Sequence, residues 1–365
     1  MDLAIFKVED KEIKYIGTLE GFGSNIFLVG EHLGAVRKDG GITIWNMAEP
    51  LAPQLLCYEE KVIPQPSPYA AAVTIGQRVF IPGLLANIHV LTVSDSGEKI
   101  KYEKGNFGKS DRLATDGEYL FAGRNVLGKF KVSSFSVSSS GKLKQEGELE
   151  FNCLSDSVKR TNGVSAIGVA SGSPMVLFTV PRTYEPVRVI DFSNLRKPKL
   201  ISDHFYSSEA DSTTFITPDG IPLLMETSDK KEISYRVCAV SKQGEITTAS
   251  APIDLSSGAN TVTRVNDWLI ATGFIQSANL VAIDLSDPQK PTPVPSPVPH
   301  RASPNAIFDA NSLHYYGGAR WESIAVELGL DLKIGVFTGE VTDSKLKDFR
   351  VYDAHKVLKV GALGR

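Results

Sequence analysis

The chain lacks the features that mark several large classes of protein. It has no basic excess, because 39 Lys and Arg residues stand against 42 Asp and Glu residues, which gives a formal net charge of −3. Proteins that bind nucleic acid or anionic membranes usually carry a basic face. No apolar run approaches the ~20 residues of a membrane-spanning helix. We therefore expect neither nucleic acid nor a membrane as partner.

Cysteine is scarce as well, with Cys57, Cys153 and Cys238 far apart in the sequence. There is no Cys-x-x-Cys or His-x-x-x-His pair of the kind that holds a structural metal. The N-terminus has neither the basic region nor the long apolar region of a signal peptide. Together these absences predict a cytoplasmic protein without a metal cluster.

Standard catalytic motifs are also missing, including the Gly-x-Ser-x-Gly, His-Glu-x-x-His and Gly-x-Gly-x-x-Gly patterns. Residues 123–129 have the spacing of a phosphate-binding P-loop, but Phe130 stands where Ser or Thr would hold magnesium. The segment also lies between two predicted strands rather than before a helix. We expect it not to bind nucleotide.

What the chain does contain is a repeat of short β-strands. Residues 41–53, 187–198 and 280–291 each combine an apolar strand, an Asn or Asp turn and a later Pro. First strands of successive units begin near residues 25, 69, 112, 163, 212, 260 and 305. Four strands in about 43–51 residues is the period of a β-propeller blade. The sequence therefore predicts a single all-β domain, a seven-bladed propeller of four-stranded antiparallel blades.

Residues 187–198 and 280–291 resemble the LVIVD-type repeat of bacterial propellers, in which the third strand ends in a Val-Asp-x-Ser turn. Residues 90–95 and 135–139 depart from that pattern. The resemblance implies a propeller and implies no particular activity. It also implies that the turn lies between outer strands and is structural.

Ring closure has more than one candidate. Residues 3–10 and 12–17 are predicted to be a third and fourth strand, and so are 349–353 and 357–361. The seventh blade starts within 305–316, so N-terminal strands, C-terminal strands or both are expected to close the ring. We treat 317–344 as an irregular insert, whose residues 319–328 show the best helical periodicity.

In a propeller, first strands begin and second strands end at one mouth of the central channel. Asn and Arg side chains at such positions suit a carboxylate or phosphate ligand, since Arg offers a planar donor fork. The candidate ligand-binding residues are Asn25, Arg37, Arg124, Arg182, Glu226, Asn260, Asn305 and Arg320. The same Asn residues are equally able to cap their own turns. Glu226 with Asn residues is an alternative calcium site, although neighbouring Arg residues oppose a cation; otherwise we expect no cofactor.

His89, His314 and Tyr184 are the candidate proton-transfer residues. His314 has Leu and Tyr neighbours, which also fit a packed core histidine.

Three functions remain open. The first is binding of a small anion at the channel mouth, as ligand or as substrate of a lyase, isomerase or hydrolase. The second is a protein-interaction scaffold without catalysis. The third is a calcium-dependent, lactonase-like hydrolase.

Overall fold

The computed structural model describes residues 3–9, 12–19, 25–37, 39–46, 53–64, 72–83, 87–103, 108, 110–126, 128–138, 141–152, 166–170, 172–179, 186–204, 214–216, 220, 222–227, 233–254, 259–265, 268–273, 281–287, 289–294, 305–308, 312–317, 322–327, 332–337, 341–342 and 345–346. Within these residues the regular structure is all strand, with no helix.

The chain begins with a hairpin and continues with groups of consecutive strands. The hairpin is β1 (Leu3–Glu9) and β2 (Glu12–Leu19). Sheet 1 comprises β3 (Asn25–Val29), β4 (His32–Val36), β5 (Ile42–Asn46) and β6 (Gln54–Glu59). Sheet 2 comprises β7 (Val73–Ile75), β8 (Arg78–Pro82), β9 (Ile88–Val93) and β10 (Ile100–Glu103). Sheet 3 comprises β11 (Arg112–Thr115), β12 (Tyr119–Val126), β13 (Lys129–Val137) and β14 (Leu143–Asn152). Sheet 4 comprises β15 (Ala166–Val169), β16 (Met175–Thr179), β17 (Val187–Asp191) and β18 (Lys199–His204).

The second half of the chain repeats the arrangement. Sheet 5 comprises β19 (Thr214–Ile216), β20 (Pro222–Thr227), β21 (Ile233–Val240) and β22 (Ile246–Thr248), with β23 (Ile253–Asp254) also paired to β21. Sheet 6 comprises β24 (Ala259–Val265), β25 (Trp268–Gly273), β26 (Val281–Asp284) and β27 (Thr292–Val294). Sheet 7 comprises β28 (Asn305–Phe308), β29 (Ser312–Gly317), β30 (Glu322–Glu327) and β31 (Leu332–Phe337). A small hairpin follows, β32 (Val341–Thr342) and β33 (Lys345–Leu346).

Every sheet is antiparallel, and its strands pair in chain order from first to fourth. The first strands of successive sheets contact one another in the series β3, β7, β11, β15, β19, β24 and β28, and both β28 and β29 contact β3. The sheets are thus arranged around their first strands, which is the architecture of a β-propeller.

Apolar side chains fill the spaces between neighbouring sheets. Phe80, Leu120 and Phe135 pack between sheets 2 and 3, and Phe121 and Phe178 between sheets 3 and 4. Each fully buried side chain of this size contributes about 1.5–3 kcal/mol relative to an exposed one. A blade covers both faces in this way only when it has a neighbour on each side.

Where the structure describes the turn between the third and fourth strands, it is of one of two types. In sheets 4 and 6, Asp191 and Asp284 accept hydrogen bonds from the backbone N–H two residues later, at 2.7 and 2.9 Å. In sheets 2, 3 and 5 a Ser accepts instead, and Gly97, Gly141 and Gly244 adopt positive φ angles. The expectation that the Asp-containing turn is structural fits these contacts.

The last sheet differs from the sequence-based expectation. Its third and fourth strands, β30 and β31, lie inside the segment 317–344 that we treated as an irregular insert. In the window 319–328, which shows the best helical periodicity, the described residues Glu322–Glu327 form a strand, because Ile324 and Val326 alternate with smaller or polar residues and are β-branched. The hairpin β1–β2 pairs with β31 and extends this sheet to six strands instead of supplying missing ones. Residues 349–353 and 357–361 lie outside the described residues.

For a membrane, the finding is limited to helices: the described residues contain none with the length and apolar character needed to cross a bilayer.

Candidate functional site

In a β-propeller, the mouth of the central channel is the end at which first strands begin and second strands end. In sheet 3 this end carries Arg112, the first residue of β11, opposite Gly123 of β12. Asp111 continues the pairing, since its N–H donates to the Gly123 carbonyl at 2.9 Å. The buried Ser110 hydroxyl is placed to donate to the carbonyl oxygen of Arg112 or of Gly123. These bonds fix the start of the strand that positions Arg112.

Arg112 lies on the side of sheet 3 that faces sheet 4. Its cross-strand partner Gly123 has Phe178 and Ile167 of sheet 4 where a side chain would be, with ring atoms of Phe178 2.9 Å from a Cβ position. Two residues further along β11, Ala114 belongs to the core between the same two sheets. Because side chains alternate along a strand, Arg112 and Ala114 share this face.

Arg112 is half-buried, and its guanidinium is only partly hydrogen-bonded. Its Nη1 donates to the carbonyl of Asp111 at 2.8 Å, while its buried Nη2 has no hydrogen-bond partner among the described residues. Burial lowers the pKa of Arg112 to about 10, and the nearby Asp111 carboxylate opposes that shift. The side chain stays charged at neutral pH, with a donor that an anion is able to satisfy.

A second arginine, Arg188, lies further out between the same two sheets and is only 2% exposed. Its guanidinium carbon lies 4.7 Å from the ring centre of Phe151 and 5.5 Å from that of Phe130. Its Nε is 3.3 Å from an Asp203 oxygen, and its Nη2 donates to the Asn152 carbonyl at 3.4 Å. The positive charge of Arg188 is therefore balanced by a carboxylate, a carbonyl oxygen and two aromatic rings that surround it.

Arg37, predicted to bind ligand, is engaged locally. Its Nε lies 3.4 Å from Asp39, and its guanidinium carbon lies 5.3 Å from the ring centre of Tyr58 on the outer strand β6. The side chain is 38% exposed. These contacts hold Arg37 toward the outer strand of sheet 1.

Arg124 lies in β12, next to Gly123 and therefore on the opposite face, toward sheet 2, as alternation requires. It is half-buried, and among the described residues it has no hydrogen bond or ion pair. The P-loop-like residues 123–129 form the end of this β12–β13 hairpin, and Lys129 pairs with Glu150 at 2.7 Å. The structure thus uses that segment as strand and turn.

His89 lies on the third strand of sheet 2, not on the first strand that lines the channel. It is 6% exposed, and its Nδ1 lies 3.1 Å from the hydroxyl of Tyr102. Burial lowers the pKa of His89 and raises that of Tyr102. Its Nε2 lies against Gly83, where a Cβ would come within 2.5 Å. The pair is packed between strands rather than open to a ligand.

The other predicted residues are located less fully. Strands β3, β24, β28, β20 and β29 contain, respectively, Asn25, Asn260, Asn305, Glu226 and His314, whose side chains lie outside the described atoms. Arg182, Tyr184 and Arg320 lie outside the described residues. In the described part of the chain, no group of three His, Cys, Asp or Glu side chains is placed to hold a metal ion.

Sequence reasoning missed Arg112 although it used this residue to mark a strand start. The available signal was positional, because Asn25 and Asn305 begin the corresponding strands of sheets 1 and 7. The clue was that Arg112, with a long cationic side chain, begins its strand at the position that an Asn occupies in sheets 1 and 7.

Comparison with known proteins shows the fold and nothing finer. No family model matches the chain, and no curated protein sequence matches it. A solved structure from Bacteroides fragilis, assigned as a 6-phosphogluconolactonase, superposes with a TM-score of 0.56 at 10% identity, covering 89% of this chain and 90% of that one. A protein from Lactobacillus plantarum gives 0.52 at 12% identity, covering 84% and 98%. A chain of the mitotic checkpoint complex gives 0.51 at 10% identity, covering 87% and 90%.

Proposed function

We propose that the chain is a seven-bladed β-propeller that binds a small anionic ligand, a carboxylate or a phosphate, at the mouth of its central channel. Sheets 1 to 7 supply the blades. Support for a closed ring comes from the contacts of β28 and β29 with β3, which bring the last sheet against the first.

The observation that carries the proposal is the half-buried Arg112 at the channel end of β11, whose buried Nη2 has no partner among the described residues. An unmade hydrogen bond to a buried charged group costs more than the roughly 1–3 kcal/mol of a neutral one. An anion at the mouth is offered a charge-assisted bond by this guanidinium. Ligand binding is therefore favoured at Arg112 over Arg37, which already contacts Asp39 and Tyr58.

A thermal-shift series tests the proposal. The wild-type protein is melted with sodium propionate, sodium phosphate or sodium chloride at matched ionic strength. We expect one of the first two anions to raise the melting temperature above the chloride reference, since a ligand that binds only the folded state stabilises it. The rise should vanish in Arg112→Gln and persist in Arg37→Gln. Equal responses of the two variants would refute the site.

A specific observation supports a second candidate, a protein-interaction scaffold. Large apolar side chains are exposed on two outer strands, with Leu55 and Tyr58 on β6 and Leu200 and Ile201 on β18. Exposed apolar patches on outer strands are common at protein interfaces. A partner that co-purifies with wild type and is lost in Leu55→Asp, with anion binding unchanged, would favour the scaffold.

A further inference from the structure

We infer that two copies of this chain exchange their N-terminal hairpins, so that the hairpin β1–β2 of each copy pairs with β31 of the other. This inference concerns sheet 7 and does not depend on the anion site proposed between sheets 3 and 4.

The hairpin is added to a sheet that is already complete. Strands β28 to β31 follow one another in the chain and pair in the same order as the four strands of sheets 1 to 6. The hairpin then pairs with the outer edge of β31 along the short stretch Ile5–Val8 of β1. Within the hairpin, β1 pairs with β2 along all of Leu3–Glu9. Because the internal pairing is longer than the pairing with β31, the hairpin is able to move as one unit.

The hairpin lies far from the strand that follows it in the chain. Among the described strands, β2 is the sixth and outermost of sheet 7, whereas β3 is the first and innermost of sheet 1. Strand directions alternate across sheet 7, so β2 ends at the same end of the sheets at which β3 begins. Neighbouring strands are about 4.8 Å apart, so five spacings from β2 to β28 amount to about 24 Å in a flat sheet.

The connection between these two strands is short for that distance. Leu19 ends β2 and Asn25 begins β3, so the chain between them spans at most about 22 Å when fully extended. The connection from sheet 5 to sheet 6, between Asp254 and Ala259, is only one residue shorter and starts from a strand in the fourth position. Connections that leave the fourth strands of the other sheets are longer. The hairpin therefore has no slack when it pairs with sheet 7 of its own chain.

A second copy of the chain offers the same edge without this restriction. In the exchanged pair, the same positions of β1 and β31 face each other, but they belong to two copies. The distance that the connection spans is then set by how the two rings lie against each other. Exchange of an identical element is a low-cost route to a dimer, and a short, strained hinge favours it. A connection that barely spans its two ends also lowers the effective concentration that holds the hairpin on its own chain.

Disulfide trapping in the full chain tests the exchange. Lys7 of β1 and Lys333 of β31 occupy opposite register positions, so the variant Lys7→Cys/Lys333→Cys places two cysteines to form a disulfide on oxidation. With the natural connection we expect covalent dimers on a non-reducing gel. A Gly-Ser insertion after Phe22, long enough to cross two further strands, should yield monomers with an internal disulfide instead. An equal insertion after Ser257, in the connection from sheet 5 to sheet 6, is the matched control and should leave the dimers unchanged.

Each outcome supports or overturns the exchange. Monomers with an internal disulfide in the chain with the natural connection overturn it. If no disulfide forms, light scattering on the unmodified protein decides. Twice the chain mass, reduced to the chain mass by the insertion after Phe22, supports the exchange, and the chain mass at every protein concentration overturns it. A dimer that persists after that insertion uses another surface and overturns the exchange as well. Anion binding is measured separately, so either proposal is able to fail alone.

Discussion

Arg112 and Arg188 both face the space between sheets 3 and 4, here called the seam, but their surroundings are opposite in kind. Arg188, in the outer part, has two aromatic rings, a carboxylate and a carbonyl around its guanidinium. Arg112, at the channel end, has one carbonyl and an unpartnered Nη2. The charge of Arg188 is matched by its neighbours, whereas that of Arg112 is incompletely matched, which is why we propose Arg112 as the anion-binding residue.

The largest expected effect is on the free energy of unfolding, and it distinguishes the structural role of Arg188 from the proposed binding role of Arg112. Arg188→Ala removes a fully buried side chain that fills the space beside Phe130 and Phe151, so we expect a loss of about 2–4 kcal/mol in the free energy of unfolding. Arg112→Gln removes a charge that is costly to bury, so its effect should stay within about 1 kcal/mol. Urea denaturation measures both. An equal or larger loss in Arg112→Gln would mean that Arg112 is a structural residue too.

The next largest effect on stability is expected at the outer end of the seam, where β14 meets the turn of sheet 4. A Cβ on Gly147 of β14 would lie 2.0 Å from the carbonyl oxygen of Leu195, in the turn of sheet 4. Backbone cannot move aside easily, so Gly147→Ala should cost about 1–3 kcal/mol. Gly123→Ala is the matched control, since its Cβ meets the Phe178 ring at 2.9 Å. We expect the control to lose less in urea denaturation; the reverse order would show that the mouth end is the tighter one.

A pH effect comes from the charged surface that covers this seam. Glu146 interacts with Lys144 at 2.9 Å and, across the seam, with Arg196 at 3.5 Å. Hydrogen bonds from Lys144 and Ser136 hold the pKa of Glu146 down to about 2. A carboxyl whose pKa is lower in the folded state stabilises at neutral pH, and that stabilisation is lost as the pH falls from about 4.5 toward 2.

Glu146→Gln should therefore show a smaller loss of melting temperature over that acid range than wild type does. Glu118, an exposed acid on the turn before β12, supplies the matched control as Glu118→Gln. If both variants follow the wild-type curve, the contact across the seam adds nothing to stability.

Arg37 should show the smallest effect. Exposed ion pairs typically contribute about 0.2–1 kcal/mol, and the stacking on half-exposed Tyr58 adds little more. We expect Arg37→Gln to remain within about 1 kcal/mol of wild type in urea denaturation and to bind anions unchanged. A loss of anion binding in Arg37→Gln would show that the anion binds at sheet 1 and not between sheets 3 and 4.

The sequence predicted the strands better than the site. Starts at Asn25, Arg112 and Asn305 agree with β3, β11 and β28, because turn residues and β-branched runs are local signals. The order of strands after β29 was harder, since helical and strand patterns are ambiguous in a segment as short as 319–328.

The site depends on neighbours that local patterns do not reveal. Arg37 and Arg112 both lie near the mouth end of a strand. Of these two, the sequence analysis identified only Arg37 as a candidate ligand-binding residue. Arg37 finds Asp39 two residues later, whereas Arg112 lies on a face of sheet 3 that packs against Phe178 and Ile167, far away in the chain. Which of two arginines stays unpaired is decided by packing between sheets.

The most direct test observes both guanidinium groups at once. Two-dimensional ¹⁵N–¹H NMR of the arginine Nε–H groups, assigned with Arg112→Lys and Arg188→Lys, follows them during titration with sodium propionate. We expect a saturable shift of the Arg112 signal and a constant Arg188 signal. A constant Arg112 signal, or a shift shared equally by both arginines, would contradict this expectation.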